Sequence, residues 1–542
     1  MANTVRRSEA GDAALVERCC ALFGEFRQAY AAEWERQDRN ERLYRCEREP
    51  EEEREAIAPR PSTPLVQSIV ENVQADVMDR FPEAVVLPES PEDEEIAEIV
   101  GALVAQNHDA QNFRAEYRKM CHDLLLHGWC VSESGFDARA YDGIGMGFIR
   151  HVDCRSILFD PEAEDPQDGR AVFKIQPVPV ARLEETYPRY RGLFEADAYG
   201  ADAPADRGVR RDRAKTALLI EYWWREFDPR TQRFRVHIAK VAGHRLLEDS
   251  RRSKPQGYLS EGRYPFTVTT MLRRKGSPLG LGFGDEFGAA QILADRLDRI
   301  ILENAVMASK GKLLVTRASG FDVGDLRDWS REVHEGDSIA GVQWMQLPPL
   351  PQHVLSYVER IRQTAREESG ANDFTRGTAT AGVTAASAIT ALQEAGGKRS
   401  RMIARQLEES FREAVRLEIA FEREYGLFPR CVTVTRDGRR IPVTFDTALL
   451  TRVTAAGGKV PAEFFVSVRA VQEQPWQRQA NNELMLRLME AGAIPPRLAV
   501  AQMSFEGRDA ILREIAGVPA EEPARRERLP YAPDLLAGGA AL

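Results

Sequence analysis

The sequence predicts an α+β chain built from several segments. Three observations carry this reading. The first 128 residues pattern mostly as helices, and from Val131 the character changes to short alternating runs. Further on, two helical segments of similar length, about 285–309 and 353–370, bracket a β-rich insert and are followed by a long charged helix over 401–425.

Residues 11–45 read as a helix, with Leu15, Cys19, Leu22, Phe23, Phe26 and Tyr30 recurring at three- and four-residue steps. The acidic run EREPEEERE and the proline-rich APRPSTP end it. A second helix, LVQSIVENVQADVMDRF, is expected to stop before Pro82, because proline removes a helical hydrogen bond. Residues 92–128 read as helical again. CVSESGFDA, GIGMGFIRHVD, RSILFDP and AVFKIQPVP then read as strands, continued by TALLIEYWWREFD, RFRVHIAKVAG and YPFTVTTML. The Ala-, Asp- and Arg-rich stretch 195–215 is expected as a mobile loop.

In the helix over 285–309, Leu293, Leu297, Ile300, Ile301 and Asn304 share one face, and in that over 353–370 Val354, Val358, Ile361 and Ala365 do. Two helices joined through a compact insert are expected to pack antiparallel, with the insert at their far end. After 370 comes SGANDFTRGTATAGVTAASAITALQEAGGKRS, which breaks the helical region at Gly396-Gly397 and places Lys398 and Arg399 at the break. Glycine costs a helix interior about 1 kcal/mol relative to alanine, so the break calls for a reason. Strands are expected at 431–446 and 464–470, helices at about 478–517, and a Pro/Ala/Gly-rich tail from 518.

The hydrophobic fraction of 43% and charged fraction of 29% are those of an ordinary globular chain. No run of 18 apolar residues offers a membrane span, and the N-terminal sequence lacks a secretory pattern, so synthesis and residence in the cytosol are the expectation. Seven cysteines without a CxxC pair argue against a zinc site or a disulfide scaffold. The net charge of −10 argues against tight, static gripping of nucleic acid, which needs a basic stripe.

No motif announces catalysis. GLGFG at 280–284 echoes a phosphate loop, but the preceding strand and βαβ context are missing, and it reads as a flexible lead-in to the next helix. DPEAEDPQD gathers Asp160, Glu162, Glu164, Asp165 and Asp168, yet lacks the glycine and terminal glutamate of a calcium loop and reads as a solvated acidic loop. His122 and His127 are five apart, the wrong spacing for one metal-binding helix face. No cofactor and no metal are expected.

The order of several segments resembles the portal proteins of tailed phages. SGANDFTRGTATAGVTAASAITALQEAGGKRS is similar to the segment that follows the portal stem. DLLLHGWCVSESGFD, FIRHVDCRSILFDPEAEDPQD and LEETYP are similar to wing segments, and ILADRLDRIILENAVMASKGKLLV to the first stem helix running into the clip. The resemblance spans roughly residues 15–515 and rests on the shared order rather than on any single motif.

The resemblance implies a wing over 1–284, stem helices at 285–309 and 353–370 around a clip at 310–352, and a second wing part at 371–472. A helical crown at 473–518 and a flexible tail at 519–542 complete the portal fold. It further implies a ring, usually of twelve copies, at one capsid vertex of the virion, assembled in the host cytoplasm. The partners so implied are double-stranded DNA without sequence preference, the large terminase subunit, the major capsid or scaffold protein and a head-tail adaptor, with no membrane. In the family a tunnel loop projects into the channel. Its place falls here at 394–400, so Gly396 and Gly397 are expected to free the backbone and Lys398, Arg399 and Arg401 to face the phosphates. Leu293, Leu297, Ile300, Ile301, Val354, Val358 and Ile361 are expected to pack the stem. The other readings are a different phage head component and a nucleotide-using enzyme built on GLGFG.

Overall fold

The computed structural model describes residues 2–47, 61–194, 216–259, 261–309, 312–324, 326, 333–345, 350–370, 397–436, 439–453, 459–462, 464–472, 475–503, 505 and 511–512. The expected loop at 195–215, the tail from 519 and the small-residue stretch through Gly396 lie outside them. The chain divides into two compact units, one of residues 1–432 with 443–471 and one of 433–442 with 472–542.

The larger unit opens with helix α1, Ala2–Tyr44. Its apolar stripe of Leu15, Cys19, Phe23, Phe26 and Tyr30 is buried against an antiparallel sheet ordered β4-β5-β6-β7-β8. These strands are Ile157–Phe159, Ala171–Pro179, Thr216–Asp228, Arg233–Ala242 and Arg245–Asp249. Phe26 meets Phe173 edge-on with ring centroids 5.2 Å apart, and Tyr30 Oη accepts from Phe159 N–H at 3.0 Å.

Helix α2, Leu65–Met78, ends earlier than expected, because residues 80–88 form strand β1 (Arg80–Pro88) paired with β18 (Phe464–Gln472). Pro82 therefore lies in a strand and not at a helix end. A two-stranded ribbon tolerates it, since an edge strand leaves one side without ladder bonds. Helices α3 (Glu94–Ala110) and α4 (Phe113–His127) lead into β2, Trp129–Asp137, the middle strand of a sheet ordered β3-β2-β9, where β3 is Met146–Val152 and β9 is Phe266–Thr270.

Two long helices follow. Helix α5 is Phe283–Ser309 and helix α6 is Gln352–Ser369; between them β12 (Lys312–Val315) pairs antiparallel with β13 (Val342–Met345). Helix α7, Lys398–Tyr425, crosses the β3-β2-β9 sheet and buries Ile403, Leu407, Phe411, Val415 and Phe421. It carries two buried glutamates. Glu418 Oε1 and Glu422 Oε1 both accept from Asn107 Nδ2, at 3.0 and 2.9 Å, and Glu422 also accepts from Gly147 N–H at 2.7 Å. A buried carboxylate is tolerable only when its oxygens are satisfied in this way. The smaller unit holds helices α8 (Pro475–Glu490) and α9 (Pro496–Gln502), which pack on each other. Among the described residues, no helix is long and apolar enough to cross a membrane.

The glycines of GLGFG do not loosen the chain; they let it close. A Cβ on Gly280 would stand 2.3 Å from Gly128 O, and one on Gly282 would stand 2.5 Å from Gly128 N. On Gly284 it would meet Asn40 Cγ of α1 at 2.5 Å. Glycine is required here for close approach, and the flexible lead-in expected from sequence is corrected accordingly. Gly282→Ala is expected to destabilise the chain by about 1–3 kcal/mol, the usual cost of overpacking, measured as a lower urea midpoint at unchanged slope. Gly276→Ala, in open space but at positive φ, should cost less.

Candidate functional site

Helices α5 and α6 run antiparallel, as contacts at three levels show. Arg399 Nη1 reaches both Glu286 Oε1 at 3.1 Å and the Glu368 carbonyl at 2.6 Å; Arg362 pairs with Asp298; and Lys312 lies opposite Met345 in the far strand pair. The insert thus sits at the far end of a helical hairpin. On α6 the structure buries Val358 and Ala365 and half-buries Val354 and Ile361.

The face expected on α5 is split. Phe287, Gly288, Gln291 and Ala294 line its buried side, while Leu293 is 40% and Ile300 48% exposed, and Leu297 and Ile301 are intermediate. With 3.6 residues per turn, Leu293 and Ile300 stand roughly 140° around the helix from the packed line. The apolar stripe is real, but it faces away from the chain's own core. Met307 continues it, and Leu355 and Tyr357 are exposed on α6.

The near end of the hairpin is seated by a buried polar cluster that sequence reading missed. Arg36 of α1 donates to Glu33, to Asp285 and, at 3.0 Å, to the His127 carbonyl. Asn40 Nδ2 donates to Asp285 Oδ1 at 3.2 Å, Gly282 N–H to Asp285 Oδ2 at 3.1 Å, and Trp129 Nε1–H to Glu33 Oε1 at 3.0 Å. The available signal was Asp285-Glu286 just after a glycine run, the acidic first turn of a helix. Burial pushes the Glu33 carboxyl up, but the hydrogen bonds and charge of Arg36, with Trp129 and Arg274, outweigh it and hold the carboxyl below the usual range.

Helix α7 begins at Lys398, directly after Gly397, so the expected loop cations fall in its first turn. Gly396 lies outside the described residues. Positive side chains at a helix N-terminus oppose the macrodipole, and no side chain caps this one. Lys398 is exposed. Arg401 lines a groove with Lys398, Met402, Arg405, Gln406 and Glu409. Burial, and then the nearby Arg401 charge, pull the Arg80 pKa down, a mark of crowded cations. Arg399 turns the other way: it pairs with Glu286, and its guanidinium carbon lies 4.9 Å from the Phe283 ring centroid. The structure therefore brings Lys398 and Arg401 together and sets Arg399 apart.

Elsewhere, Cys154, Asp123 and His151 meet, with His151 Nε2 2.7 Å from Asp123 Oδ2 and the thiol donating to that same oxygen at 3.5 Å. The carboxylate stands between thiol and imidazole, and burial with the Asp123 charge pushes the thiol well above its ordinary pKa. That arrangement makes no nucleophile, which requires a thiolate. In the acidic loop Glu162, Glu164, Asp165 and Asp168 are exposed, but Asp160 is buried and accepts from Arg170 Nε at 2.8 Å, so it is not solvated as expected. No cluster of metal-ligand type occurs among the described residues. The glycine run at 280–284 contributes the two-residue strand β11 (Gly280–Leu281), antiparallel to Leu272–Arg273, and the first residues of α5, which is no βαβ phosphate site.

Comparison with known families gives two matches. The family described as Phage SU10 portal protein matches residues 149–446, more than half of the 542, and that described as Phage P22-like portal protein matches residues 22–275. No curated protein matches the chain.

The lowered Glu33 pKa gives this cluster a pH signature. Its contribution to stability is complete above the ordinary glutamate pKa and is lost as pH falls through the depressed folded value. The gap in thermal midpoint between the wild type and Glu33→Gln is therefore expected to be constant from pH 7 to about 5 and to narrow below about 4.

Proposed function

The chain belongs to the phage portal proteins, and from that premise we propose that copies of it form a ring-shaped channel at one capsid vertex. Double-stranded DNA enters through this channel, driven by a separate terminase motor, and later leaves through it. Portal proteins are structural components of the virion rather than enzymes.

The observation that carries the ring is the outward apolar stripe of Leu293, Ile300 and Met307 on a projecting hairpin. A helix keeps such a stripe only if another surface covers it, and a neighbouring copy in a closed, heterologous ring supplies one. In this reading the hairpin is the stem, with Leu297, Ile301, Val354, Val358 and Ile361 along it, and the β12–β13 pair belongs to the clip. Exposed Leu314, Ile339 and Trp344 around that pair support attachment of the motor and, later, of the head-tail adaptor. The segments 1–284 and 371–472 form the wing, which meets the capsid or scaffold protein, and 473–518 the crown.

Lys398 and Arg401 contact the DNA in this reading, from the first turn of α7 and next to Gly396 and Gly397 of the tunnel loop. Phosphate contacts of this kind read no sequence, as packaging any genome requires. A few cations in a chain of net charge −10 touch DNA without arresting it.

Electron microscopy and mass photometry of the purified chain test the ring: annular particles of about twelve copies are expected, and a compact dimer without a hole would reject it. Ile300→Asp is expected to abolish rings while changing monomer stability by less than about 0.5 kcal/mol, as exposed substitutions do. Lys398→Glu with Arg401→Glu should leave rings intact, weaken DNA retention and flatten its salt dependence.

A further inference from the structure

We propose that Arg399 is a latch that ties the start of helix α7 to the base of the α5–α6 hairpin, and not a phosphate contact. Its donors are already committed. One Nη1 hydrogen goes to Glu286 Oε1 at 3.1 Å and the other to the Glu368 carbonyl at 2.6 Å, while Nη2 pairs with Glu286 Oε2. The flat face of the guanidinium is covered by Phe283, at 4.9 Å from the ring centroid, and the side chain is only 20% exposed. A forked, charge-assisted pair of this kind fixes direction as well as distance.

The three elements joined are those whose relative placement the channel needs. Glu286 belongs to the first turn of α5 and Glu368 to the last turn of α6, so a single side chain clamps both ends of the hairpin's base. Next to Glu286, Asp285 is held by Arg36 and Asn40 of α1. Two adjacent carboxylates therefore anchor α5 in opposite directions, one to α1 and one to α7. The latch also offsets the charge that Arg399 places at an uncapped helix start. The Arg399 charge, which opposes the helix dipole, is neutralised by a carboxylate from another helix.

This positioning role matters to function only through the channel reading, but its signature does not depend on rings or DNA. The test is hydrogen exchange of the full chain at 0.1 M salt, read at the amides of 401–405, the first that are hydrogen-bonded within α7. Arg399→Gln and Glu286→Ala are each expected to speed exchange there about fivefold or more, since charge-assisted hydrogen bonds resist local opening. Lys398→Gln should not, and the exchanged pair Arg399→Glu with Glu286→Arg should restore most of the protection. Silence of Glu286→Ala, or no recovery in the exchanged pair, overturns the latch. So does a loss of DNA binding in Arg399→Gln equal to that in Lys398→Gln while Glu286→Ala binds normally. Failure of the ring reading shows instead as absent annular particles with the exchange pattern intact.

Discussion

Arg36 is the side chain on which the arrangement of the larger unit turns. It is almost wholly withdrawn from water, yet it is shared among Glu33 on its own helix, Asp285 at the start of α5 and the carbonyl of His127 at the end of α4. An uncompensated buried charge costs about 3–5 kcal/mol when one partner is removed, so each of these groups requires the others in place. Three elements far apart in the chain are thereby held at one point, and the long hairpin leaves the body from it. The direction of the hairpin is set there, before any packing along its length.

The glycines at 280, 282 and 284 complete the same seat by a different means. They bring backbone against backbone at Gly128 and against the Asn40 side chain, distances that no Cβ could occupy. A glycine pattern that resembles a phosphate loop is thus explained by close approach, with the polar cluster next to it supplying direction. Charge and steric closeness act together: if the backbone stood off by the width of a methyl group, Asp285 could not reach Arg36 and Asn40 at once.

What was legible in the sequence follows from where each element finds its partner. The stripe of Phe23, Phe26 and Tyr30 on α1 meets a single sheet, so its periodicity reads directly as burial. The long α7, which buries Ile403, Leu407, Phe411 and Val415, was legible for the same reason. Strand β1 was not, because Arg80–Pro88 is fixed by pairing with residues 464–472, and its two prolines argue locally against a strand. The buried Glu33, Glu418 and Glu422 were not legible either. A carboxylate reads as surface until the arginine, asparagine or amide that satisfies it is known to be near. On α5 the apolar stripe was legible, but the side that faces the body was not, since after Phe287 that side continues with Gly288, Gln291 and Ala294 rather than large apolar residues.

That inversion on α5 bears on the proposed ring. The side of α5 against its own body combines Phe283 and Phe287 with the small or polar Gly284, Gly288, Gln291 and Ala294, and the glycines allow the close approach that the seat requires. Leu293, Ile300 and Met307 stand exposed on the other side, spaced a heptad apart. In the proposed ring an aligned neighbour would cover all three at once. Arg399 fits the same logic at the hairpin's base. By holding α5, α6 and α7 in fixed relation within one copy, it would let alignment of the stripes between copies in the proposed ring also align the first turns of α7.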